Sequence, residues 1–512
     1  MGNAKDNTIG NVGFSALGST GQPSAGSTGS GKRTARHVRN SSPTAGGSIS
    51  GDSAQSGFSN LVDRAKLLLS RRSFLYGAIG VGAVAAAGGG AAIYFATQND
   101  NPELEYLEVP QDAVTPLADL TLVEDPSTRM SFYGSVDLPL GSLLWCNSDE
   151  VAACLIPTAT GSPLSQIALL MLGSATYTVM VDKAVGASKG FEIYDVRATS
   201  SGIVWTEANI LDGIWRIYTA RLVRGVMDTP KLVDEGDSRY ETPSIAAVGS
   251  YALWQKQATL ATAYDDDAPE TAVLRASFGS TDSDTLFTSS RRMSTPLYAG
   301  EDSVVITPRS TLSRSYTSIA KIDVKSGSIV DALTLPNSMR PFEVACGKTG
   351  LMFSFENIYN YGDGISNLGT YVPAKRVGAA TFQWKSDFDV AAEQAAAEND
   401  GGDSGSTRGL PFDNTANYSA APWFRFSRTP TAAPAFCGKY LIVKSTYSIC
   451  GVDLDAGEYF AIDVDNGADK YGEYLATSGT HDTLVTFTSI DYTPVNSSPQ
   501  KMCRVKIWKP ID

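Results

Sequence analysis

From Ser73 to Asn99 the chain carries no charged residue, and positions 74–96 within that run are apolar and rich in Gly and Ala. A segment of this length matches the roughly 20 residues an α-helix needs to cross the hydrocarbon core of a bilayer. Its flanks differ in sign, with Arg71 and Arg72 before it and Asp100, Glu103 and Glu105 after it. Cations are retained on the cytoplasmic side of a spanning helix. The sequence therefore predicts one transmembrane helix over 73–98, with the N-terminus inside and the rest of the chain outside the cytoplasm.

Directly ahead of the apolar run stands Ser70-Arg71-Arg72-Ser73-Phe74-Leu75. This string resembles the twin-arginine translocation consensus at each defining position. The resemblance implies that Ser70, Arg71, Arg72, Phe74 and Leu75 form an export signal, with the twin-arginine translocation machinery and then the lipid bilayer as partners. A cleaved signal needs small residues before the cut. Tyr94 occupies the −3 position of the candidate site at Ala96, which favours an uncleaved signal anchor. Upstream, residues 1–57 are dominated by Gly, Ser, Thr, Ala and Asn. That composition buries too little apolar surface to offset chain entropy and predicts a disordered cytoplasmic tail. Positions 58–72 form a basic juxtamembrane segment in which Phe58, Leu61, Val62, Ala65, Leu68 and Leu69 fall on one helix face.

The formal net charge of −13 conceals two parts of opposite sign. Residues 1–99 hold nine Lys/Arg and three acids; beyond them 32 basic residues face 51 acidic ones, a net of −19. So negative a domain repels phosphate backbones, which argues against nucleic acid as a partner. All six cysteines lie beyond the apolar run, as expected for an oxidising compartment. Cys146 with Cys154, and Cys437 with Cys450, are close enough in sequence to be bridged across adjacent strands. The competing reading is six buried thiols.

From about residue 103 onward, short runs rich in Val, Ile, Tyr, Phe, Trp and Thr alternate with turn residues, the pattern of antiparallel sheet. The runs recur as four-strand units about 50 residues apart, near 131–180, 190–240, 243–290, 294–336, 341–390, 423–465 and 471–512. That period fits the blades of a β-propeller. The fold class predicted for 103–512 is thus all-β, a β-propeller with seven blades favoured and six as the alternative. A strand from 104–125 is expected to complete the last unit. The segments 202–222 and 240–278, each with an aromatic residue in its second strand, resemble the degenerate repeats of TolB-like exported propellers. Positions 385–422 break the pattern and read as a mobile insertion.

Several strings imitate catalytic motifs. Gly26–Lys32 spells a P-loop, but Arg33 replaces the Ser/Thr and no strand precedes it. Gly186-Ala187-Ser188-Lys189-Gly190 spells a nucleophile elbow but joins two predicted strands. Gly402-Asp403-Ser404-Gly405 falls in the insertion. With only His37 and His481 in the chain, a histidine-dependent mechanism outside the cytoplasm would rest on His481 alone, and His481 reads as an exposed loop residue. Asp463, Asp465 and Asp469 around Gly467 are a weak calcium candidate, better read as a solvated turn. Trp145, Trp205, Trp215, Trp254, Tyr359 and Tyr361 could line a binding face, although most read as packing residues. No cofactor is implied. The expected role is a binding or scaffolding module at the cell envelope, taking an envelope protein or glycan; the alternative is a glycan-active hydrolase or lyase using Asp/Glu and Tyr.

Replacing both Arg71 and Arg72 by Lys should retain the protein in the cytoplasm. Fractionation of cells expressing that variant checks the export signal, and normal export would remove it.

Overall fold

Runs of β-branched and aromatic residues closed by Gly- and Asp-containing turns zip into hairpins, because each run is too short to bury itself and pairs with the next. The computed structural model describes residues 106–511, apart from 264–267, 290, 310–315, 338, 356–368, 375–412, 427–431 and 494–499. The tail, the juxtamembrane segment, the predicted membrane helix, the P-loop imitation and most of the insertion, including Gly402–Gly405, lie outside the described residues. So do Tyr359 and Tyr361. No helix among the described residues is long and apolar enough to cross a membrane.

The strands form seven sheets. Four are continuous meanders, over 143–181, 192–236, 244–289 and 298–335. The fifth is built from 341–373 and Trp423–Phe426, and the sixth from 435–462. The seventh is composite: Tyr474–Leu475, Leu484–Tyr492 and Gln500–Pro510 are completed by Met130–Pro139 from the other end of the domain. One apolar core lies between each consecutive pair of sheets. These layers are shared by Leu155 and Trp205, by Trp215 and Trp254, by Leu253 and Ile322, by Leu333 and Phe353, by Phe424 and Val443, and by Phe460 and Leu484. A further core, with Leu170 and Val505, joins the seventh sheet back to the first. The fold is all-β and propeller-like.

The strand that closes the array differs from expectation. Positions 104–125 do not complete the last sheet. Instead Val114–Pro116 runs parallel to Trp423–Phe426, and Thr121–Leu122 parallel to Glu458–Ile462, covering the outer edges of two sheets. Met130–Pro139, expected in the first unit, pairs with Gln500–Pro510 along its whole length. Its alternation suits either sheet, so only the closure decides which one it joins. Asp137 reinforces the junction by a bidentate pair with Arg504, at 2.8 and 2.9 Å.

Antiparallel meanders fix two ends. Hairpins between second and third strands, and the connections from a fourth strand to the next sheet, emerge at one end, called proximal here; the other hairpins emerge at the distal end. Tyr106 enters at the proximal end, stacked on Tyr316 at 6.1 Å, and the Leu107 amide donates to the Thr334 carbonyl at 2.7 Å.

The expected disulfides do not form: all six cysteines are free and buried. Cys437 and Cys450 lie on strands separated by Tyr440–Lys444 and face different cores. Two strand spacings amount to about 9.6 Å, beyond disulfide reach. Cys146 and Cys154 face one core, but Cys154 pairs with Leu144, and the Cys146 thiol donates to the Ser148 carbonyl at 3.2 Å. Burial pushes the Cys146 thiol up to about 12.

Asp463, Asp465 and Asp469 do not converge on a cation site. Lys506 Nζ sits 3.5 Å from Asp465 and 3.3 Å from the Asp463 carbonyl, and it pairs with Glu473. Asp469 accepts from the Tyr471 amide at 2.8 Å. The ammonium supplies the charge a metal would bring, and among the described residues no group of His, Cys, Asp or Glu is gathered to hold one. Glu473 is fully buried. Replacing Lys506 by Met should therefore destabilise the domain by about 3–5 kcal/mol, because it strands a buried carboxylate, and adding Glu473→Leu should recover most of the loss. Chemical denaturation of the single and double variants checks this.

Candidate functional site in the channel

The first strands of neighbouring sheets contact one another and line the axis of the array. They are mostly apolar. Among the partly exposed polar or aromatic side chains on these strands, Trp145, Arg197, Tyr298 and Glu343 come from four different sheets and form two contacting pairs. Period-2 alternation sends the side chains of each first strand alternately to the two faces of its sheet, toward the two flanking cores, at whose margins Trp145 and Tyr298 stay partly exposed.

Arg197 lies over the Trp145 ring, with its guanidinium carbon 4.3 Å from the centroid. It ion-pairs with Asp195 and donates to the Val196 carbonyl at 2.7 Å. Asp195 also accepts from the Val196 amide at 2.9 Å. Burial raises the Asp195 carboxyl above its ordinary range, against the opposing pull of Arg197. Across the wall, Tyr298 donates its hydroxyl to Glu343 Oε2. Burial pushes Glu343 up to about 7, with the Tyr298 hydrogen bond opposing it. Tyr298 is raised by burial and then by Glu343, while the Arg197 charge acts against this. The Arg197 and Tyr298 clusters therefore share one electrostatic environment.

The channel is narrowed by the segment between the Tyr474–Leu475 and Leu484–Tyr492 strands of the seventh sheet. Gly479–His481 adds parallel to Ala435–Cys437, and Thr477 bridges to Cys146. Gly479 has φ +83°, and a Cβ there would stand 3.2 Å from the Ala299 carbonyl oxygen of the opposing wall. Glycine thus allows the two backbones their close approach. His481 is not the exposed loop residue that the sequence suggests. Its side chain is 9% exposed, with Nδ1 3.6 Å from Asp149 and Nε2 2.8 Å from the Ser478 carbonyl.

Trp205, Trp215 and Trp254 are buried between sheets, as packing residues should be, whereas Trp145 is only partly buried, at the margin of the core between the first two sheets. Ala187–Lys189 forms a single 3₁₀ turn, so the elbow-like string is a connection. Arg197, Asp195, Tyr298 and Glu343 were not singled out by sequence. Nothing in their spacing marks them, since they converge only through the ring. A separate open cleft of about 510 Å³ at the distal end is lined by Lys348, Lys439, Lys509 and Asp482. Its lysines are engaged, with the Gly438 carbonyl, with Asp453 and with the Tyr133 ring respectively.

No protein family and no curated protein matches the chain. Among solved structures it is similar to a post-proline cleaving enzyme from Rickettsia typhi, at 7% identity and a TM-score of 0.41, covering 73% of this chain and 51% of that one. It is also similar to oligogalacturonate lyase in complex with manganese, at 7% identity and a TM-score of 0.35, covering 71% of this chain and 86% of the lyase. Oligopeptidase B from Leishmania major gives 9% identity and a TM-score of 0.35, with 71% and 48% covered. This chain spans about half the length of the two peptidases.

Glu343 yields a pH prediction. Its folded pKa of about 7 exceeds the ordinary 4.5, so between those values the folded chain holds a proton that the unfolded chain has released. Wild-type stability should therefore fall as pH rises through this window, relative to Glu343→Gln, which stays neutral. The two proteins should match near pH 4, and the variant should be the more stable at pH 8 by no more than about 3 kcal/mol. Paired denaturation curves across pH 4–8 measure the difference.

Proposed function

We propose that the chain is a membrane-anchored, extracytoplasmic β-propeller of seven blades that binds an envelope protein or glycan in its channel. The reading is supported by two pairs on the first strands of four sheets, Arg197 over Trp145 and Tyr298 with Glu343, the Arg197 charge being near enough to act on Tyr298. A stacking face, a cation and a hydroxyl–carboxyl pair held on rigid strands suit recognition of a polar ligand. The seven-blade count is supported by seven sheets and by a cyclic set of inter-sheet cores. Export by the twin-arginine machinery and anchoring in the bilayer rest on the signal around Arg71 and Arg72 and on the apolar run over 73–98. Probing glycan and peptide arrays with the detergent-solubilised full chain tests the binding role. A true ligand should lose affinity by about tenfold or more with Trp145→Ala, while the variant keeps its thermal stability within a few degrees.

A second reading, a glycan-active hydrolase or lyase, is favoured by two raised carboxyls on the channel wall, Asp195 and Glu343, the latter hydrogen-bonded to a tyrosine. Cleavage of an array ligand, abolished by Glu343→Gln, would replace the binding role with that one.

A further inference from the structure

We propose that the proximal end of the domain docks on the outer surface of the bilayer, with the hairpin tip at Leu211 seated among the lipid headgroups and upper acyl chains. This inference rests on the membrane-anchored reading above.

Four strongly exposed aliphatic side chains sit in connections that emerge at this end. Leu211 is 98% exposed, Leu260 58%, Ile210 53% and Val185 52%. These connections touch one another. The amides of Val185 and Gly186 donate to Glu207 at 2.6 and 2.9 Å, and Asn209 donates to the Lys189 carbonyl at 3.3 Å. Gly213 packs so closely on Ser238 that a Cβ would stand 2.8 Å away, and the Thr259 amide donates to the Arg239 carbonyl at 2.9 Å. The tip is braced outward, because the Asn209 side chain bonds both the backbone and the side chain of Asp212, at 3.3 and 2.6 Å. A tied hairpin that turns Leu211 fully to solvent presents an apolar residue instead of folding it back.

Chain length chooses the occupant. From position 98, where the predicted membrane helix ends, eight residue steps lead to Tyr106 at this same end of the array. At about 3.5 Å per step they reach no farther than about 28 Å, so an anchored domain must keep its proximal end near the lipid. In sequence these connections carry three bases, Lys183, Lys189 and Arg239, against eight acids, Asp182, Asp212, Asp237, Glu241, Asp265, Asp266, Asp267 and Glu270. The face is therefore acidic and suits zwitterionic rather than anionic headgroups. Exposed aliphatic tips on such a face suit an interfacial contact.

The test uses the full chain reconstituted in phosphatidylcholine vesicles. The six native thiols are buried, so a cysteine introduced by Leu211→Cys can be labelled selectively with an environment-sensitive fluorophore. Asp282→Cys, exposed in a distal hairpin, serves as the reference. Label at 211 should lose most of its emission to nitroxide-bearing lipids and little to an aqueous quencher, with the reverse at 282. Vesicle flotation separates the two readings. If the protein floats but label 211 is quenched from water as readily as label 282, docking is overturned and anchoring stands. If the protein does not float, anchoring falls and docking falls with it.

Discussion

Every sheet in this domain has two apolar faces, and each face must be covered by a neighbour; this constraint organises the rest of the structure. A row of sheets would leave two faces bare at its ends. Here the chain solves the problem by giving Met130–Pro139 to the sheet that also contains Gln500–Pro510, after which Leu170 and Val505 share one core. Closure depends on contacts between residues some 370 positions apart, such as Asp137 with Arg504. Loop-closure entropy grows only slowly with length, so such a long-range clasp is thermodynamically tolerable even though it must form late.

The same constraint explains what the sequence disclosed. Strand positions were legible because a run such as Trp215–Leu222 or Ser318–Val324 carries its pairing chemistry locally. The all-β, propeller-like class followed from their period. Which strand closes the array was not legible. Both 104–125 and Met130–Pro139 are extended segments near the start of the domain, and only the geometry of the last sheet distinguishes them. Positions 104–125 instead cover edges, where two short parallel pairings suffice. The cysteine spacings misled for a related reason. The twelve residues between Cys437 and Cys450 suggested one hairpin, but they contain an intervening strand, and the thiols face different cores.

The channel residues were hidden more deeply. Trp145 read as a packing aromatic like Trp205, Trp215 and Trp254, because a single sequence gives no sign of which strand lies innermost in its sheet and so which aromatic stays partly exposed at the margin of a core. Arg197 and Asp195 look like an ordinary alternating pair on a strand. Tyr298 and Glu343 are 45 residues apart, with no motif between them. Their meeting is a property of ring order: first strands of the fourth and fifth sheets stand side by side, so residues at matching heights touch across the seam.

Charge placement completes the logic. The domain is strongly acidic, and several of its buried acids are compensated by a cation: Glu473 and Asp465 by Lys506, Asp234 by Lys256, and Asp195 by Arg197; Glu207 and Asp331 instead accept hydrogen bonds from neutral donors. Desolvating a lone carboxylate in so acidic a domain would be doubly unfavourable, through lost hydration and through repulsion from the surrounding field. Glu343 faces that situation without a cation of its own, and its proton and the Tyr298 hydroxyl stand in for one. A ligand bringing a cation or a hydrogen-bond donor to this wall would relieve the deficit that the fold leaves there. Recognition and this imperfectly compensated acid are in this sense the same feature.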